Sequence, residues 1–61
     1  MSTMPPGDFE TAYETLATAI DEAGPEREAL FLTRLALVLA HEVGDIDAFR
    51  KAVKAALEGL D

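Results

Sequence analysis

The stretch Ala29-Leu30-Phe31-Leu32-Thr33-Arg34-Leu35-Ala36-Leu37-Val38-Leu39-Ala40-His41-Glu42-Val43 is apolar round most of a helix's circumference, with only Thr33, Arg34, His41 and Glu42 as polar interruptions. A helix of this kind needs cover on more than one side. At about 100° per residue, Phe31, Leu32, Leu35, Val38, Leu39 and Val43 fall within one broad arc, which neighbouring helices are expected to cover. Leu30 and Leu37 fall outside that arc, among Thr33, Arg34 and His41. They are one heptad apart and so stack on nearly the same line. A single exposed leucine is ordinary, but two aligned leucines on an already apolar helix predict an interface. Leu30, Arg34, Leu37 and His41 are its candidate residues. Arg34 has two readings there. Its stem can shield apolar surface, or its guanidinium can bind a carboxylate of a partner or a second copy through two parallel hydrogen bonds.

Working outward, both neighbouring segments also read as helices. Phe9, Tyr13, Leu16, Ile20 and Ala23 recur at helical spacing behind Asp8, which reads as an N-cap, with Glu10, Thr11, Glu14, Thr18, Asp21 and Glu22 on the opposite face. Gly24 ends this helix, and Pro25 is expected to open the central one, because proline is tolerated at the first helical position. Gly44 closes the central helix and Asp45 caps a third, whose apolar stripe is Ile46, Phe49, Val53, Ala56, Leu57 and Leu60. The expectation is therefore all-α: helices over about residues 8–23, 25–43 and 45–58 in one domain spanning 8–61. Met1 to Gly7 should form a flexible N-terminal arm. Such short connections predict antiparallel neighbours and an up-down-up unit.

Composition limits what such a unit can do. A chain of 61 residues is one small domain, and domains of that size bury only roughly 60% of their unfolded surface, so their stability is marginal. Disulfides, metals or association usually supply the rest. There is no cysteine, which rules out disulfides and thiolate metal sites and leaves association as the expected remedy, with a dimer favoured. No apolar run reaches the length of about 18 residues that a membrane span needs. Met1 to Gly7 has neither the basic residue nor the apolar run of a secretory signal, so a cytoplasmic location is expected. The net charge of −7 is uneven, with seven acids against Arg27 in residues 1–30 and five against Arg34, Arg50, Lys51 and Lys54 in residues 31–61. An acidic field repels nucleic acid and anionic lipid, so neither is an expected partner.

The residues that could carry chemistry read as structural. His41-Glu42-Val43-Gly44-Asp45 superficially resembles the His-Glu-x-x-His motif, but that motif needs two ligands one turn apart on an unbroken helix. Here the second position is aspartate and Gly44 intervenes. His41 reads instead as a last-turn residue at the negative end of the helix dipole. Asp45 and Asp47 have the opening spacing of a calcium loop without its glycine or its distant glutamate. The Gly-Asp turn before the third helix is placed like that of an acyl carrier protein, yet Ser2 is the only serine and no attachment point exists there. Tyr13 reads as a core residue with its hydroxyl at the edge. With no cysteine, and no serine near His41, a nucleophile and its base are also missing. No catalytic, cofactor-binding or metal-binding residue is assigned.

The run Phe31 to Asp45, followed by Arg50 and Ala52, resembles a family of short bacterial helical proteins with an Arg-Leu-x-Leu-x-Leu-Ala core that ends in an aliphatic-Gly-Asp turn; here that core is Arg34 to Asp45. The resemblance covers about Phe9 to Ala56. This chain departs from the family in having His41-Glu42 where Asn-His is more usual. The resemblance implies a small helical protein, often encoded near flavin-dependent or aromatic-catabolic oxidoreductases, and it implies no activity or catalytic residue. The expected function is a non-enzymatic interaction or accessory protein that self-associates through its central helix. The alternative is a small subunit or regulator that docks on a larger metabolic, flavin-dependent oxidoreductase.

Overall fold

A computed structural model describes residues 3–60. Among the described residues it has three α-helices and no strand: α1 (Pro6–Ala23), α2 (Glu28–Val43) and α3 (Ile46–Leu57). The all-α, three-helix expectation holds, and the helix ends differ in how closely they follow local chemistry.

The second connection follows the sequence. Gly44 adopts the left-handed conformation, with φ +67° and ψ +16°, and its N–H donates to the carbonyl of Ala40. A side chain there would be strained by the positive φ, which glycine tolerates. Asp45 is extended, and its Oδ1 accepts from the N–H of Asp47 at 2.9 Å and of Ala48 at 3.3 Å. Two of the otherwise unpartnered donors at the start of α3 are thereby satisfied. Asp45→Ala should lower stability by about 1 kcal/mol, whereas Asp45→Asn should retain most of it. Urea denaturation of the two variants checks this, and equal midpoints for Ala, Asn and the parent would show that the cap contributes nothing.

The other ends differ from expectation. α1 begins two residues before Asp8, with Pro5 in the cap position and Phe9 N–H donating to the Pro5 carbonyl at 2.9 Å. Pro6 stands in the first turn, where a fixed φ suits the helix and a missing N–H leaves no donor to cap. Asp8 is thus a first-turn acid that favours the positive end of the dipole, not the cap. Pro6 and Gly7 belong to α1 rather than to an arm; Met1 and Ser2 lie outside the described residues. Pro25 likewise does not open α2. Gly24 to Arg27 forms a turn, closed by Arg27 N–H to Gly24 O at 3.1 Å, and α2 starts at Glu28. Arg27 also donates through Nε to the carbonyl of Ala23, so the turn satisfies the end of α1 before α2 begins.

α1 packs on α2 and α2 packs on α3, but α1 and α3 do not pack on each other. Half-buried residues include Leu16, Ile20 and Ala23 in the second half of α1, Phe31, Leu32 and Leu35 in the first half of α2, and Ala48 and Phe49 near the start of α3. Further from the turns the helices part. The expectation that the first and third helices cover the central one is therefore corrected, since Val38, Leu39 and Val43 of the supposedly covered arc remain exposed. A two-residue or four-residue turn holds two helix ends together but does not fix the angle between the helices. Closure needs bulky side chains between α1 and α3, and none meet.

No described residue is fully buried. The chain exposes 5664 Å², whereas a compact monomer of 6.5 kDa exposes roughly 3,800 Å². The surplus is about 1,800 Å² per chain.

Candidate interaction surface

Leu30 and Leu37, read from the sequence as an exposed line on α2, are 59% and 63% exposed. Arg34 and His41 are also exposed. The structure does not gather the four residues into one pocket. Leu30 and Arg34 line an open groove of about 580 Å³ between α1 and α2, together with Ala19 and Ala23 from α1 and Phe31 and Val38 from α2. Leu37 and His41 lie outside it, further along α2.

The groove has a simple origin. Ala19 and Ala23 are too small to fill the space beside Leu30 and Val38, so an apolar floor stays open to solvent. Polar side chains rim it: Glu22 from α1, Arg27 from the turn and Arg34 from α2. Arg27 is engaged with the Ala23 carbonyl. Arg34 makes no ion pair among the described residues, where the sole pair is Arg50 with Asp47 at 3.4 Å. A guanidinium at the edge of an uncovered apolar floor is well placed to receive a carboxylate from another chain.

Sequence reasoning did not single out three parts of the open surface. Val38 was assigned to the covered arc but lines the groove; spacing cannot separate it from Phe31, because both occupy one side of α2 and only the splay of α1 exposes it. Phe9 and Tyr13 at the start of α1 are 64% and 71% exposed, and Val53 and Leu57 near the end of α3 are 43% and 62% exposed. Their helical spacing was legible. Their lack of a partner was not, since an apolar stripe does not report which neighbour covers it.

Tyr13 is 71% exposed and is not the core residue expected from its spacing, because no helix packs on the start of α1. His41 is in the last turn of α2 and Asp45 caps α3. Among the described residues no group of three or more acids or histidines is arranged to hold a metal ion, and no helix is long and apolar enough to cross a membrane. Compared with protein-family models, curated proteins and solved structures, the chain matches none of them.

Proposed function

We propose that this chain is a small, non-enzymatic helical interaction protein that self-associates, with the Leu30, Arg34, Leu37 and His41 side of α2 at the interface. One observation carries the reading: none of the described residues is buried, and the surface exceeds that of a compact monomer by about 1,800 Å². Small domains need a core to offset the loss of conformational entropy on folding. Here some of the apolar side chains that would form one are half-buried, and many, among them Leu30, Leu37, Val38 and Leu57, are exposed. Stable interfaces bury about 800 Å² per partner, and obligate homodimers bury more, so the surplus is enough for an obligate dimer. The acidic surface suits a cytoplasmic protein whose partners are other proteins.

Light scattering coupled to size exclusion at micromolar concentration should return a mass of at least twice 6.5 kDa. A mass of 6.5 kDa with a cooperative thermal transition would overturn self-association. It would shift the reading to the small-subunit alternative, in which Leu30 and Leu37 dock on a larger oxidoreductase.

A further inference from the structure

Two apolar stripes of this chain have no partner, and they lie on the two helices that do not touch. At the start of α1 the stripe is Phe9 and Tyr13; near the end of α3 it is Val53 and Leu57. The helices are also opposite in charge. α1 carries the carboxylates Asp8, Glu10, Glu14, Asp21 and Glu22 and no cation, whereas α3 carries Arg50, Lys51 and Lys54 against Asp47 alone. We infer that α1 of one copy packs antiparallel on α3 of a second copy, an inference that rests on the self-association proposed above.

The direction follows from where the charges sit. At about 100° per residue, Glu10 and Glu14 lie roughly 80–120° from the centre of the Phe9 and Tyr13 pair, and Arg50 and Lys54 lie roughly 40–80° from the centre of the Val53 and Leu57 pair, in the same rotational sense. When two helices face each other in parallel, flanks of the same sense fall on opposite sides of the contact. Reversing one helix reverses the sense seen along the shared axis, so in an antiparallel pair both flanks fall on the same side. The acidic edge of α1 then runs along the basic edge of α3.

The register agrees. Phe9 and Tyr13 are four residues apart, as are Val53 and Leu57, Glu10 and Glu14, and Arg50 and Lys54. Each step is about 6 Å of helix. Antiparallel alignment sets Phe9 near Leu57 and Tyr13 near Val53, with Glu10 beside Lys54 and Glu14 beside Arg50. Arg50 is free to change partner, because its pair with Asp47 is a solvent-exposed 3.4 Å contact of a kind that contributes little. In a two-fold dimer the contact forms twice. The second copy thus covers the apolar stripes and pairs the charges that a single chain leaves apart.

Charge exchange tests this and separates its failure from that of self-association. One variant carries Glu10→Lys and Glu14→Lys; the other carries Arg50→Glu and Lys54→Glu. All four residues are exposed, and these exchanges change helix propensity little. Each variant alone places like charges along both contacts and should self-associate at least about tenfold more weakly than the parent, about 1.4 kcal/mol. Mixed in equal amounts, the two are fully complementary and should form a heterodimer of parental affinity, read by native mass spectrometry. Parental self-association of both variants would overturn the α1 to α3 contact while leaving the dimer standing. Weakened variants that mixing does not rescue would overturn it too, because the loss would then not come from charges that face each other across two copies. A monomeric parent would overturn both inferences.

Discussion

Leu37→Asp should weaken self-association by orders of magnitude, although Leu37 touches no core. Full burial of a leucine contributes roughly 1.5–3 kcal/mol, and a symmetric interface loses that contribution once per copy. The substitution also places two carboxylates where two copies meet. In the isolated chain the same position is 63% exposed, so the fold of one copy has little reason to oppose the change. Leu35→Asp is the informative contrast. Leu35 is half-buried and lines the α1 to α2 groove beside Ala19 and Ala23, so a charge there should release α1 from α2 and abolish helical structure as well as association. Sedimentation and circular dichroism of the two variants distinguish the cases. An intact oligomer for Leu37→Asp beside a lost fold for Leu35→Asp would place the interface elsewhere.

Folding itself should depend on protein concentration. If much of the apolar surface is covered only on association, folding and assembly are one equilibrium, and each tenfold rise in chain concentration favours the folded dimer by about 1.4 kcal/mol. For a domain this small, a change of about 1 kcal/mol moves Tm by roughly 4–8 °C. Thermal scans by circular dichroism at widely spaced concentrations should therefore give Tm values that climb by several degrees per decade. The helical signal should fall on dilution toward the dissociation constant. A Tm that stays fixed across two decades would mean that one chain encloses what it needs.

These two expectations rest on features that became legible at different levels. The line of Leu30 and Leu37 could be read from spacing, because a heptad repeat on a helix fixes which residues align whatever the neighbours do. The groove that takes in Leu30 and Arg34 but leaves out Leu37 and His41 could not. It depends on the angle at which α1 leaves the turn at Gly24 to Arg27, and on Ala19 and Ala23 being small where the helices diverge. Val38 shows the same limit. Its position on α2 placed it beside Phe31, yet whether a neighbour covers it is a property of α1.

The sequence by itself determined the three helices, the Gly44 and Asp45 junction and the faces on which the apolar residues align, because periodicity, capping and the positive φ of glycine act over a few residues. It misplaced the starts of α1 and α2, where prolines compete with the expected cap and the turn chemistry of Gly24 to Arg27 prevails. Only the tertiary structure decided that α1 and α3 stay apart and leave Phe9, Tyr13, Val53 and Leu57 uncovered. The reason is physical: an apolar stripe specifies that a surface is to be covered, but which helix covers it depends on long-range packing that local rules do not contain.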